Sequence, residues 1–252
     1  MDNLKRKLLK EAESLRETKR IFFIPLSYPD YESSADKFKE VSLMCIEKSE
    51  KIKYLKEAAK TYLMNPVEYN RYNTYLVYQD IAEMYREGEE AVDYFIQSGD
   101  MALSCNKESL AAKSYEKASE LCDNTENKIK LLSKIVKCYD NNSWKHHRTN
   151  ALKILSFELF KNGEYEKAAS NFLLIKSSIY TLCAGMCYYL AGVDSDLEVD
   201  NEHKEVYDSL FKDETKIVKA IENFLDNHSV EKDVRNIMEI CIDKMNPDND
   251  IL

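Results

Sequence analysis

Apolar residues recur at spacings of three and four along almost the whole chain. Leu4, Leu8, Ala12 and Leu15 form one stripe, with Lys and Glu between them. Ile52, Leu55, Ala59 and Tyr62 form a second, and Ala91, Phe95, Ser98 and Ala102 a third. The pattern returns in Ala111, Tyr115, Ala118 and Cys122, and again in Ile217, Ala220, Ile221 and Phe224. That period places each set on one face of a helix turned toward a core. Strict alternation over four or more residues is hard to find, and no Asn-Gly or Asp-Gly hairpin signal occurs. The prediction is an all-α protein.

Short interruptions separate the helical runs. Met64-Asn65-Pro66, Glu87-Gly88, Asn106-Lys107, Asn141-Asn142-Ser143 and Lys161-Asn162-Gly163 each break the period for a few residues. Connections this short make neighbouring helices antiparallel hairpins, so the chain is expected to stack as a layered array. Gly88-Glu89-Glu90-Ala91-Val92 is similar to Gly163-Glu164-Tyr165-Glu166-Lys167-Ala168-Ala169, and Tyr-Glu-Lys-Ala stands at both 115–118 and 165–168. Small residues at such points let paired helices approach closely, as in tetratricopeptide (TPR) repeats, although the spacing here is irregular. Past Gly192 the character changes. Residues 194–200 form an acidic, non-periodic loop, and helices are expected around 205–210, 215–225 and 230–245. The division predicted is a hairpin array over residues 1–192 and a C-terminal helical bundle with a short tail over 193–252.

Composition narrows the function. Of 252 residues only 5 are Gly, and no two of them form a G-x-G, so neither a Rossmann fingerprint nor a P-loop is present. The formal charge of −9 disfavours a general nucleic-acid binder, whose affinity rests on neutralising phosphates. The first residues mix acids with lysines and lack the apolar core of a signal peptide. The uncharged stretch 179–193 is too short to span a bilayer. Seven scattered cysteines without a C-x-x-C read as reduced core residues of a cytoplasmic protein.

Candidate chemistry is sparse. His146-His147 are adjacent and so face different directions on a helix, without metal-binding spacing. Cys183 and Cys187 sit i,i+4 on an apolar helix with no further ligand nearby, the pattern of buried thiols. Asp194, Asp196, Glu198, Asp200 and Glu205 match the acidic positions of an EF-hand loop, but Val199 stands where the sharp turn requires Gly. No nucleophile–base or paired-carboxylate arrangement stands out. The expectation is a protein without a cofactor or metal, and not an enzyme.

Ile21-Phe22-Phe23-Ile24-Pro25-Leu26 is the most apolar inter-helix segment, read as a loop ended by Pro25 and Pro29. Lys19 and Arg20 precede it, and residues 1–20 carry seven basic against four acidic groups, +3 of a chain whose remainder is −12. An apolar tip beside cations is what reversible attachment to an anionic membrane needs. Burying two Phe side chains would contribute about 3–6 kcal/mol gross. The alternative is that the loop packs onto the next hairpin. Lys107, Lys113, Lys145, Arg148 and Lys153 are basic positions in the middle hairpins, suited to an acidic helical partner if they share a face and otherwise a solvated surface.

In their order along the chain these features resemble the soluble NSF attachment proteins (SNAPs), most nearly the alpha type. The first helix, the Phe-Phe segment and Ala35-Asp36-Lys37-Phe38-Lys39-Glu40-Val41 look like that family's membrane-attachment region. Glu90-Ala91-Val92-Asp93-Tyr94-Phe95 followed by Asn106-Lys107-Glu108-Ser109-Leu110-Ala111-Ala112-Lys113 is similar to a consecutive pair of family helices. Asn162-Gly163-Glu164-Tyr165-Glu166-Lys167-Ala168 and Cys183-Ala184-Gly185-Met186-Cys187-Tyr188 resemble later ones.

The resemblance implies a twisted right-handed array of TPR-like hairpins capped by a helical bundle. It implies an adaptor in vesicle trafficking, several copies of which bind a SNARE complex (syntaxin-like and other SNAREs) at the membrane surface. The adaptor recruits and stimulates an NSF-type AAA ATPase, which disassembles that complex after fusion. It implies membrane attachment through Phe22 and Phe23, with Ile21, Ile24, Lys19 and Arg20 around them. Lys107, Lys113, Arg148 and Lys153 would face the SNARE bundle. Asp213, Glu214, Asp250, Ile251 and Leu252 would contact the ATPase. The chain is shorter than family members by about a hairpin, has prolines where their loop often has glycines, and ends on fewer acids. A gamma-type SNAP and a generic TPR-like scaffold remain the other readings.

Overall fold

The computed structural model describes residues 2–18, 20–21, 24–25, 27–140 and 142–245. Apart from one pair of two-residue strands, the described secondary structure is helical, and successive helices pack on one another in chain order from the first to the seventh and again from the eighth to the thirteenth. The chain divides into two compact units, Met1–Tyr139 and Asp140–Leu252.

The first unit contains α1 (Asp2–Leu15), α2 (Tyr31–Leu43), α3 (Lys48–Tyr62), α4 (Glu68–Tyr85), α5 (Glu89–Ser104), α6 (Glu108–Leu121) and α7 (Thr125–Cys138). Between α1 and α2 the segment expected as a loop contains an antiparallel pair, β1 (Arg20–Ile21) and β2 (Ile24–Pro25), with Ile21 opposite Ile24. The β-branched isoleucines favour extended backbone, and Pro25 pushes the residue before it the same way. Asp30 caps α2 by accepting from Ser33 N–H at 3.0 Å, and Asn124 caps α7 by accepting from Asn127 N–H at 2.9 Å. Such caps satisfy backbone donors that the first helical turn leaves open.

A side-chain clamp recurs in this unit and fixes how three helices meet. On α2, Ser34 donates to the Ala12 carbonyl of α1 at 2.7 Å, and two residues on, Asp36 accepts from the Tyr62 hydroxyl of α3. On α5, Ser98 donates to the Tyr75 carbonyl of α4 at 3.2 Å, and Asp100 accepts from the Tyr115 hydroxyl of α6 at 2.5 Å. The two tyrosines close related segments, Ala58-Ala59-Lys60-Thr61-Tyr62 and Ala111-Ala112-Lys113-Ser114-Tyr115. Thr61 accepts from Arg16 and Ser114 from Gln79 at 2.8 Å, so the residue before each tyrosine is tied to the first helix of its set. Both tyrosine side chains are fully buried, which makes a partner for each hydroxyl obligatory. A small residue separates the Ser from the Asp in each case. At Gly99 an added Cβ would stand 2.5 Å from the Tyr115 ring, so α6 approaches α5 more closely than any side chain there allows.

The second unit contains α8 (Lys145–Lys161), α9 (Tyr165–Ile175), α10 (Ser178–Ala191), α11 (Asn201–Phe211), α12 (Ile217–Asn227) and α13 (Lys232–Met245). Its helices also pack in order, and α13 returns to α10. Gly192 ends α10 in the left-handed conformation at φ 72°, freeing the chain to leave the helix axis. The acidic stretch that follows is held by one tyrosine: Tyr207 of α11 donates to the Ser195 carbonyl at 2.8 Å and accepts from Leu197 N–H at 2.7 Å. In α8 and α9 the clamp's positions hold Ser156-Phe157-Glu158 and Ala168-Ala169-Ser170-Asn171-Phe172. Phe172, not Tyr165, therefore corresponds to Tyr115. Tyr165 only opens α9 and is half-buried, so the two Tyr-Glu-Lys-Ala segments are not equivalent positions.

Candidate functional site

The residues that carry a binding role differ sharply in what already holds them. Lys107 is the N-cap of α6: its N–H donates to the Ala102 carbonyl at 3.0 Å, and its carbonyl receives Leu110 and Ala111 N–H groups. Its side chain is exposed, as is that of Lys113 on the second turn. Among the described residues neither has an ion-pair partner. A lysine at an N-cap opposes the helix dipole and supplies no capping acceptor, so helix formation alone does not explain it.

In the second unit Arg148 and Lys153 share α8 and both are engaged. Arg148 Nε lies 3.1 Å from Asp140 Oδ1. Lys153 pairs with Glu231 ahead of α13, and its ammonium lies 5.9 Å from the Tyr180 ring centre on α10. Burial pulls the Lys153 ammonium down, but Glu231 and Tyr180 outweigh it, and its pKa is raised overall. Lys153 is thus a tie within the unit.

Asp213 stands before a short 3-10 turn, Glu214–Lys216, and is turned onto that turn. It lies 2.5 Å from Lys216 and accepts from the Thr215 hydroxyl at 2.5 Å, contacts that hold its carboxyl below the usual range. Glu214 is exposed. Asp250, Ile251 and Leu252 lie outside the described residues. So do Lys19, Phe22 and Phe23, and of Arg20, Ile21 and Ile24 only the backbone pairing is described.

Among the described residues, two cations of residues 1–20 turn inward. Lys5 pairs with Glu50 on α3. Arg16 holds Glu57 Oε2 and the Glu57 carbonyl, both at 3.1 Å, while lying 4.3 Å from the Phe38 ring centre. The basic excess counted from composition is therefore partly an internal device joining α1 to α3.

Chemistry of other kinds finds little support. Among the described residues no three His, Cys, Asp or Glu side chains are grouped to hold a metal ion. Cys183, Cys187 and Cys241 are fully buried, and burial pushes their thiols up, that of Cys241 to about 12. They stay protonated and unreactive at neutral pH. No helix among the described residues is long and apolar enough to cross a membrane.

One cationic surface was not singled out by the sequence. α3 carries Lys48, Lys51, Lys53, Lys56 and Lys60 against only Glu50 and Glu57. Both acids are taken by Lys5 and Arg16, and none of the five lysines has an ion-pair partner among the described residues. Several lie over aromatic rings instead: Lys48 over Tyr85 at 5.5 Å, Lys53 over Tyr54 at 5.7 Å, and Lys56 over Tyr94 at 5.2 Å. The five lysines are visible in the sequence, but their release from neutralisation depends on contacts with a helix some 40 residues earlier. Comparison with known proteins adds no assignment: no protein-family model and no curated protein matches the chain.

Proposed function

We propose that this chain is a SNAP-type adaptor: a twisted array of TPR-like hairpins, capped by a C-terminal bundle, that binds SNARE complexes and recruits an NSF-type ATPase. The observation that carries the reading is the recurrent Ser–small–Asp clamp, which ties three successive helices together in the same way at two places in the first unit. A stack of that kind offers a broad face of exposed helix positions, which suits a binding protein. Lys107 and Lys113 supply free positive charge on that scaffold in a chain of net charge −9, as contact with an acidic helical bundle requires. Arg148 and Lys153 take a lesser part, because both already answer carboxylates of their own unit. In this reading the protein is cytoplasmic and attaches peripherally to membranes through the Phe22–Phe23 segment. Asp213, Glu214 and the terminal Asp250, Ile251 and Leu252 face the ATPase. Several copies surround one bundle, and weak contacts add through effective concentration.

The test is disassembly of a SNARE complex by its cognate ATPase on liposomes containing anionic lipid, with and without this protein. Stimulation is expected, and Lys107→Glu with Lys113→Glu should abolish most of it while leaving the helical content unchanged. Phe22→Ser with Phe23→Ser should reduce stimulation on liposomes far more than on soluble complexes. No stimulation with cognate partners would overturn the reading and leave a helical scaffold for another ligand.

A further inference from the structure

The free cations of α3 do not stand alone. Lys56 and Lys60 lie one turn apart on that helix, about 6 Å along its axis, and both are exposed. Between them and the helices α4 and α5 runs a groove of about 410 Å³ whose apolar side is made by Leu63, Met64, Tyr78 and Tyr94. Tyr94 packs against Tyr78 at 5.7 Å and stacks on Tyr85 at 6.0 Å with the rings 6° from parallel, so the aromatic wall is rigid. Lys56 lies 5.2 Å from the Tyr94 ring centre and 5.9 Å from that of Tyr85. The tyrosine hydroxyls, Tyr94 first, raise its pKa, so the ammonium stays charged in place. Met64 is 45% exposed at the groove mouth.

We propose that this groove is a docking site for a single acidic amphipathic helix of a partner protein, with apolar side chains on Leu63, Met64 and Tyr78 and carboxylates on Lys56 and Lys60. Charge selects the occupant. α3 has five lysines, and its two acids already face Lys5 and Arg16, leaving a cationic rim in an acidic protein. The spacing selects a helix. Carboxylates at i,i+4 on a helical partner repeat at the interval that separates Lys56 from Lys60. A bilayer is the poorer match, because the apolar residues line a recess beside the cationic edge of α3 and do not project as an inserting tip.

The clamp gives this site a second argument. Lys60 occupies in Ala58-Ala59-Lys60-Thr61-Tyr62 the place that Lys113 occupies in Ala111-Ala112-Lys113-Ser114-Tyr115. Both follow the buried alanine pair and precede the clamp tyrosine, so both face away from the core at equivalent points of their helices. The site belongs to α3 and its neighbours alone, and it stands whether or not the SNARE reading holds.

The probe is a fluorescein-labelled helical peptide with Leu on one face and Glu at i,i+4 on its flanks, titrated into the full chain and followed by anisotropy. Wild type is expected to bind it and to bind more weakly as salt rises. Lys56→Glu with Lys60→Glu should weaken binding about tenfold or more. Lys56→Gln with Lys60→Gln should weaken it less, and Lys219→Glu, an exposed lysine of the second unit, should leave it unchanged. Circular dichroism on each variant confirms that the fold persists. The proposal fails if wild type ignores the peptide, if the Glu and Gln pairs bind like wild type, or if Lys219→Glu removes binding. It fails equally if vesicles of phosphatidylserine and phosphatidylcholine displace the peptide from wild type, which would make the groove a lipid surface.

Discussion

The α5–α6 and α8–α9 hairpins put corresponding residues at corresponding places and hold them by different physical means. In α5–α6 the contact is polar and directional. Ser98 reaches a carbonyl of the preceding helix, Gly99 lets a ring lie against backbone, and Tyr115 donates to Asp100. In α8–α9 the same positions are Ser156, Phe157 and Phe172, and no hydrogen bond joins them. Ser156 donates to Leu152 of its own helix at 2.7 Å. The Phe157 ring meets Phe172 edge to face at 5.2 Å, and Tyr180 stacks on Phe172 at 5.8 Å with its centre 6.5 Å from that of Phe157. A hydrogen-bonded clamp fixes register because it fails when one helix slides, whereas an aromatic cluster supplies more buried area with less directional demand. The small residue is needed only where a ring must touch backbone.

That contrast can be broken from either side, and the largest effect belongs to the aromatic hairpin. Phe172→Ala should cost about 3–5 kcal/mol by opening a cavity between Phe157 and Tyr180. Denaturant unfolding measures it, and a cost near that of a surface substitution would show that the cluster contributes little. The next largest belongs to α5 and runs the other way, since there added bulk is harmful. Gly99→Ala should raise helix propensity by about 1 kcal/mol, yet it places a Cβ 2.5 Å from the Tyr115 ring. Net destabilisation of about 1–3 kcal/mol is expected. A smaller residue at 115 should restore part of it, so Gly99→Ala with Tyr115→Leu should be less unstable than the two single costs summed.

Tyr115→Phe tests the polar part alone. The ring stays and the bond to Asp100 goes, while Lys134 still lies 3.0 Å from that carboxylate. The loss should be about 1 kcal/mol. Ser156→Ala in the aromatic hairpin should be close to neutral, because that hydroxyl bonds only within its own helix. Equal costs for the two substitutions would remove the distinction between the hairpins.

Much of this was legible in the apolar period. Ile52, Leu55, Ala59 and Tyr62 are all buried, as are Ala91, Phe95, Ser98 and Ala102. Leu4 is exposed because the first stripe has a neighbour on only part of its length. Three helix boundaries escaped, near residues 44–47, 122–124 and 176–177, since no Gly or Pro marks them. At one of these Lys176 takes φ 56°, a left-handed conformation that a lysine does not advertise. Two N-cap residue types were readable signals, Asn124 two places beyond Cys122 and Ser177 ahead of α10. The clamp itself was half legible. The Ala-Ala-Lys-Thr-Tyr and Ala-Ala-Lys-Ser-Tyr segments repeat in the sequence, but their Asp partners lie 26 and 15 residues away at unequal spacing. Which lysines stay free was not legible at all, because it depends on which carboxylates other helices have already engaged.

The smallest expected effect also separates the two units, and it is set by pH. All four histidines, His146, His147, His203 and His228, lie in the second unit. His203 is 5% exposed, its Nδ1 lies 2.8 Å from the Ser178 hydroxyl, and its ring packs on Phe224 at 5.4 Å. Burial lowers its pKa below the ordinary 6.5, and the nearby carboxylates of Glu202 and Asp200 offset only part of that. The fold therefore favours neutral His203 while the unfolded chain protonates more readily. Stability from this group is complete above 6.5 and falls away as pH drops from there through the depressed pKa. Between about pH 7 and pH 5.5, amide protection in α11 and α12 should decline more than in α2 and α3, whose unit has no histidine to titrate. His203→Gln, which cannot protonate, should flatten the decline. An unchanged slope in that variant would place the acid sensitivity elsewhere in the second unit.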